Sequence, residues 1–94
     1  MIRQGTYRVV RVSGAIPPLL RKRVGDGTGW TCLGLLPLLP FRLTDRGAHV
    51  ELRYRGPLRF LVDRLTEADA GAWAGEATCL GLRYGGFLLE PASR

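Results

Sequence analysis

The carboxylates are the residues whose positions could support acid–base chemistry. Glu76 lies within a β-type stretch, between small residues. If the face that it shares with Thr78 points into a barrel, burial raises its pKa and makes it a general acid or base. If the face of Trp73 points inward instead, Glu76 is a solvated surface charge, and we favour this second interpretation. Glu51 and Asp63 carry the same ambiguity, and either could pair with an arginine across strands.

Aromatic residues are spread over nearly every predicted strand. Ordinary core packing accounts for this spread. The functional alternative is an aromatic-lined cavity for an apolar ligand, with tyrosine hydroxyls and one or two arginines as polar anchors. The predicted ligand-binding wall consists of Trp30, Tyr54, Phe60, Trp73 and Tyr84. The predicted catalytic groups are Glu76 and Tyr84.

Motifs for metals, nucleotides and nucleophilic catalysis are missing from the sequence. It contains no Walker-type loop, no G-x-G-x-x-G after a strand and no H-E-x-x-H. The serines are Ser13 and Ser93, and the single histidine, His49, lies beside a turn, which disfavours a Ser-His-Asp triad. We therefore predict neither a metal site nor a cofactor.

The chain is basic, with a net charge of +6, and 13 of its 14 basic residues are arginines. The positive electrostatic field of such a protein favours anionic partners, although the basic residues are spread along the chain and do not form one block. A nucleic-acid-binding module is thus an alternative: residues 21–23 with Arg53, Arg55 and Arg59 would contact phosphates, and Tyr54 or Phe60 would stack on bases.

The two cysteines, Cys32 and Cys79, are predicted to be reduced thiols, although the sequence does not exclude a disulfide between them. No apolar segment near Met1 resembles a signal peptide, so we expect a cytoplasmic protein. No stretch approaches the roughly 20 apolar residues of a membrane-spanning helix.

Short β-type runs with regularly spaced turn signals predict the secondary structure. Residues 5–13 form the first strand, residues 19–23 form a basic connection with one helical turn, and residues 23–24 pair with 28–33. Further strands are expected at 41–44, 50–54, 58–65, 73–80 and 83–90. The prolines in Leu33–Phe41 exclude a central strand, so this apolar segment is predicted to be an edge segment or a lid. A dimer contact or a membrane-touching loop is also consistent with this segment.

The pentapeptide T-C-L-G-L occurs twice, at residues 31–35 and 78–82. Weaker matches around it suggest two related halves, 1–45 and 46–94, within a single domain of residues 1–94, although chance similarity explains them equally well. Seven or eight short strands in one domain predict an all-β fold, a small antiparallel β-barrel.

The opening Gly5-Thr6-Tyr7-Arg8 resembles the G-x-W start of calycin barrels, the lipocalin and fatty-acid-binding group, with Tyr7 in place of tryptophan. The resemblance implies binding of a lipophilic molecule, with Tyr7 packing at the barrel base. Small bacterial barrels that cyclise polyketide-like substrates are similar in general plan.

From these observations we predict a small β-barrel that binds an apolar or polyketide-like small molecule. In an enzymatic version it is a cyclase or isomerase that folds its substrate into a reactive conformer. The alternatives are the nucleic-acid module described above and a non-catalytic partner protein that dimerises through Leu33–Phe41. We also expect a homodimer, because a chain of this size has only a thin core.

Overall fold

The computed structural model describes residues 1–92; Ser93 and Arg94, at the end of the predicted domain, lie outside the described residues. Within residues 1–92, eight strands close into an antiparallel barrel in chain order, and the last strand pairs with the first. The strands are β1 (Gly5–Gly14), β2 (Leu20–Val24), β3 (Thr28–Leu33), β4 (Leu36–Asp45), β5 (Val50–Tyr54), β6 (Leu61–Glu67), β7 (Trp73–Cys79) and β8 (Leu82–Pro91). The predicted all-β antiparallel barrel is confirmed.

The barrel has two chemically different ends. Because neighbouring strands are antiparallel, the connections that follow β1, β3, β5 and β7 meet at one end, which we call the upper end. The N-terminus and the connections that follow β2, β4 and β6 meet at the lower end. Acidic residues in the connections lie at the lower end, where Asp26 and Asp69 are found.

Side chains fill the interior, as expected because an eight-stranded barrel is just wide enough for them. Phe41, Leu52, Leu65 and Leu89 are completely buried in a continuous core that reaches from the lower end past the centre. Phe41 also makes an edge-to-face contact with Tyr54, with ring centroids 6.2 Å apart. Such a pair contributes about 0.5–1.5 kcal/mol beyond burial of its area.

Two glycines make room for two phenylalanine rings. Gly29 on β3 lies opposite Phe41 on β4, and Gly75 on β7 lies opposite Phe87 on β8. A methyl group on Gly29 would overlap Phe41 and the backbone of Arg23, whereas one on Gly75 would overlap Phe87. The absence of a side chain at these positions therefore allows each ring to cross the lumen.

The predicted helical turn at residues 19–23 is wrong, because Leu20–Val24 forms strand β2. In this strand Lys22 and Val24 are buried and the two arginines between and beside them are exposed, which is the two-residue alternation of a β-strand. The predicted strand 58–65 also begins too early. Gly56–Leu58 forms one turn of 3-10 helix, with Pro57 in its first positions, and β6 begins only at Leu61.

The proline-containing segment is the first half of β4. Residues 36–40 pair with β3, whereas the pairing of β4 with β5 begins at Phe41, which lies opposite Tyr54. One side of this half-strand is therefore outside the ladder, and such edge positions are where proline is tolerated. The predicted edge position agrees with this one-sided pairing. The segment is nevertheless part of a strand of the closed barrel.

The two copies of the pentapeptide form turns at the same end. Residues 33–36 connect β3 to β4, and residues 79–82 connect β7 to β8, so both turns are at the upper end, four strands apart around the ring. In the second turn Leu80 and Gly81 both have positive φ, at 53° and 83°, as in the type I′ turn that favours glycine. Strands β2 and β6 place Lys22 and Asp63, respectively, two residues after a leucine.

Candidate functional site

A buried ion pair occupies the centre of the barrel. The Nζ of Lys22 on β2 lies 3.6 Å from Oδ2 of Asp63 on β6, and the two side chains are 3% and 4% exposed. The Lys22 ammonium also donates hydrogen bonds to the Thr31 hydroxyl at 2.8 Å and to the Tyr54 hydroxyl at 2.7 Å. The Thr31 and Tyr54 hydroxyls are 2.9 Å apart and hydrogen-bonded to each other.

Aromatic rings surround this ammonium group. Lys22 Nζ lies 5.6 Å from the ring centroid of Phe41, 5.2 Å from that of Tyr54 and 5.7 Å from that of Phe87. These distances fall within the range of cation–π attraction, which becomes stronger where water is excluded. The rings and the three oxygen partners together replace the hydration that Lys22 loses on burial.

The two members of the ion pair respond differently to burial. Burial lowers the pKa of Lys22, but Tyr54 and Asp63 outweigh this effect and raise the pKa above the ordinary lysine value. Burial raises the pKa of the Asp63 carboxyl, and Lys22 offsets only part of this effect. Lys22 therefore stays protonated at neutral pH, whereas Asp63 is the member that burial drives towards taking up a proton.

The donors of Lys22 are already engaged, because its ammonium group faces Thr31, Tyr54 and Asp63. Within residues 1–92 the Asp63 carboxylate is paired with Lys22, at 3.6 Å from its Oδ2, whereas an ionised carboxylate offers roughly four acceptor sites. Lys22 thus acts as a fixed positive charge, and Asp63 is the member of the cluster with acceptor capacity to spare.

Tyr84 is directed by a β-bulge near the upper end. Ala77 pairs with Gly85 and Thr78 pairs with Arg83, so Tyr84 has no partner on β7. Bulges of this kind re-aim a side chain. Burial raises the pKa of Tyr84 to about 12, with further contributions from Asp63, Tyr54 and Cys79. The Tyr84 hydroxyl makes no hydrogen bond to another described residue, which leaves it available to a ligand.

Exposed leucines surround the upper end and form what we call the leucine rim. Each is at least 44% exposed: Leu19, Leu33, Leu35, Leu36, Leu80 and Leu82. Beneath the rim lies a partly buried apolar layer that packs on the core, formed by Ile16, Leu39, Leu58 and Leu61. A group of exposed leucines at one end of a domain is typical of an interaction site, because soluble domains rarely expose large apolar patches.

The structure separates several of the predicted site residues. Glu76 is on the outer face, between the buried Gly75 and Ala77, and its carboxylate lies 3.7 Å from Arg83. Trp30 is on the outer wall and 44% exposed, whereas Trp73 is buried at the lower end of β7.

Three predicted residues do lie at the upper end of the barrel or in the lumen beneath it. Tyr54 belongs to the buried cluster, and Tyr84 is 38% exposed above it. Phe60 is 40% exposed, and its carbonyl accepts a hydrogen bond from Leu80 in the β7–β8 turn. The candidate site therefore consists of the leucine rim, Phe60, Tyr84 and the Lys22–Asp63 cluster.

Sequence reasoning placed Lys22 among surface groups that contact phosphates and gave little weight to Asp63, whereas the structure buries both side chains. A signal was present, since Lys22 is the one lysine beside thirteen arginines and shares its two-residue period with Leu20 and Val24. The aliphatic neighbours of Asp63, Leu61 and Leu65, mark an inward face in the same way.

The cysteines and possible metal ligands add little to this site. Cys32 is fully buried and Cys79 partly buried, and both are free thiols. Within residues 1–92, His, Cys, Asp and Glu side chains do not gather in the groups of three or more that could hold a metal ion.

Residues 1–92 include no helix with the length and apolar character needed to cross a membrane.

The geometry defines a class of protein: a small closed antiparallel β-barrel of eight strands with a buried lysine–aspartate pair, consistent with a calycin-like plan. Comparison with known protein families, curated protein sequences and solved structures finds no match for the chain.

Proposed function

We propose that this barrel binds a small apolar molecule at its upper end. The observation that carries the proposal is the leucine rim, a set of exposed leucines at the upper end of a barrel whose centre holds a buried polar cluster. Pockets for small molecules commonly combine apolar walls with a few fixed polar groups. The rim and Phe60 would contact the apolar body of the ligand, and Tyr84 and Asp63 would bind a hydroxyl or carbonyl group.

The filled centre limits how deep the ligand lies. Phe41, Tyr54 and Phe87 converge on Lys22 and close the lumen at that level. A ligand therefore reaches from the rim past Ile16 and Leu61 to the level of Asp63 at most, and does not run through the barrel. In this respect the proposal differs from the aromatic-lined cavity that the sequence predicts.

A catalytic version of the proposal uses the same groups. Asp63, with its spare acceptor capacity, would accept or return a proton, and the Tyr84 phenol would donate a hydrogen bond to a carbonyl oxygen. The reaction class that needs no more than this is a cofactor-independent isomerisation or cyclisation of an apolar substrate. The leucine rim would supply most of the rate acceleration by holding the substrate in one reactive conformer.

The test is a fluorescence titration with the uncharged dye N-phenyl-1-naphthylamine, which avoids attraction to the arginines. We expect saturable enhancement that polyketide-like and fatty compounds compete away. Leu80→Gln/Leu82→Gln should abolish it, because both residues are more than 70% exposed in the rim and contribute little to the core. Val12→Gln, at an exposed outer position, is the matched control and should bind normally. Enhancement that is absent, or equal in both variants, would contradict the proposal.

A second copy of the chain is the competing occupant of the rim. Sedimentation velocity at rising protein concentration separates the two. A dimer that Leu80→Gln/Leu82→Gln converts to a monomer, without dye binding in either form, would show that the rim is a subunit contact. A monomer that binds the dye supports the ligand site.

A further inference from the structure

A second site lies on the outer wall, where β4, β5 and the turn Gly56–Leu58 form a cleft of about 380 Å³. Arginines dominate the described lining of this cleft: Arg42, Arg46, Arg53, Arg55 and Arg59. Glu51 is the carboxylate among those lining residues. This concentration of positive charge is independent of the leucine rim and of the function proposed for it.

The cleft holds like charges in direct opposition. Arg42 on β4 and Arg53 on β5 are register partners, and like charges at such positions destabilise a sheet. Glu51 compensates only partly, at 3.5 Å from Arg46 and 3.4 Å from Arg53. Within residues 1–92, no carboxylate lies within 4 Å of the guanidinium groups of Arg42, Arg55 or Arg59. An anion bound between these groups would remove the repulsion.

Part of the cleft is already fixed in place. The Arg53 guanidinium donates a hydrogen bond to the Arg59 carbonyl at 3.0 Å and another to Glu51 at 3.4 Å. These contacts tie strand β5 to the turn that carries Arg55 and Arg59. A ligand therefore meets a partly ordered group of donors, which lowers the entropic cost of binding.

The chemistry of the lining indicates the ligand class. Guanidinium groups match the oxygens of phosphate and sulfate, which they bind through paired hydrogen bonds. Tyr54, the aromatic residue of the lining, is buried and directs its hydroxyl to Lys22, so it offers no surface for stacking bases. The volume of the cleft falls in the range of small-molecule sites.

We propose that this arginine cleft binds a compact polyanion that carries two or more phosphate groups. Free inorganic polyphosphate and the phosphate chain of a nucleotide share this chemistry. A nucleic acid strand is the less favoured ligand, because the charge forms a local cluster and lacks an exposed aromatic platform within it.

The test is isothermal titration calorimetry, which measures the affinity and stoichiometry of binding. The ligands are sodium tripolyphosphate, orthophosphate, adenosine triphosphate and oligo-deoxythymidine, each at low and moderate salt. We expect one tripolyphosphate per chain and much weaker orthophosphate binding. Arg42→Gln/Arg59→Gln should weaken tripolyphosphate binding about tenfold or more, since each charged hydrogen bond is strong. Arg8→Gln/Arg21→Gln is the matched control, because it removes two charges from another pair of directly opposed arginines on β1 and β2.

Circular dichroism spectra and urea midpoints of both double variants identify any loss of folding, and backbone amide shifts of the wild-type protein map the site without a mutation. Equal weakening in both double variants, or absence of saturable binding at low salt, would overturn the proposal. So would oligo-deoxythymidine binding that exceeds tripolyphosphate binding at equal phosphate concentration. Comparison of adenosine triphosphate with tripolyphosphate decides whether a nucleoside adds affinity.

Discussion

Lys22 Nζ and Asp63 Oδ2 lie 3.6 Å apart inside the barrel, on strands that are four places apart around the ring. Both side chains are almost completely excluded from solvent. The desolvation of two charges is costly, and their attraction recovers this cost only where further hydrogen bonds satisfy them. Thr31 and Tyr54 provide such bonds to Lys22.

Removing one charge should destabilise the barrel far more than removing both. Lys22→Met leaves Asp63 buried without a cation, and Asp63→Leu leaves Lys22 without its anion; each should cost roughly 3–5 kcal/mol of unfolding free energy. Lys22→Met/Asp63→Leu should recover most of that loss, because an apolar pair has no charge to desolvate. Urea unfolding of the four proteins measures this coupling, and additive losses would refute it.

The free energy of unfolding should also depend on pH through protonation of the Asp63 carboxyl. The folded pKa lies above the value of 3.8 of the free side chain, so the folded state holds the proton more tightly. The contribution of Asp63 is complete below pH 3.8 and is lost as the pH rises through the folded pKa. The unfolding free energy of wild type relative to Asp63→Asn should therefore fall with rising pH across this window. A relative stability that rises instead would mean that Lys22 outweighs burial.

Tyr84 should ionise late in an alkaline titration. Its folded pKa of about 12 exceeds the ordinary value of 10.0. The stability that this phenol contributes is complete below pH 10.0 and is lost as the pH rises towards 12. Phenolate absorbance of wild type minus that of Tyr84→Phe isolates this group, and a difference curve centred near the ordinary value would contradict the placement of Tyr84.

Gly75→Ala should test the packing of the lower half. The added methyl group overlaps the Phe87 ring, and overpacking of this kind typically costs about 1–3 kcal/mol. Gly25→Ala is a matched control, since its methyl group would meet only the Thr28 carbonyl at 3.4 Å. Thermal unfolding of both variants measures the difference. The cost of Gly75→Ala should shrink in a Phe87→Leu background, where the ring is gone.

Much of the fold was predictable because alternation along each strand is local. Val50, Leu52 and Tyr54 alternate with charged residues, and the structure buries that face. β2 was mispredicted because two prolines precede a run of three basic residues, and basic runs usually face solvent. The closure of the barrel, a tertiary constraint, decides that Lys22 faces inward.

The candidate site was less predictable than the fold. Whether Asp63 or Glu76 faces the lumen depends on the register of β6 and β7, which is set by pairing with the neighbouring strands. The position of Tyr84 depends on a β-bulge that leaves this residue without a partner on β7. No local sequence pattern predicts this bulge. The leucine rim depends on the two copies of T-C-L-G-L reaching the same end of the barrel, and this requires the topology.

The equivalent positions of Lys22 and Asp63 in β2 and β6 have a consequence for assembly. Two N-terminal halves from different molecules, exchanged into one barrel, would bring two ammonium groups together in a dry interior. Two C-terminal halves would confront two carboxylates. Opposite charges at these places therefore penalise strand-swapped dimers of like halves and favour closure within a single chain.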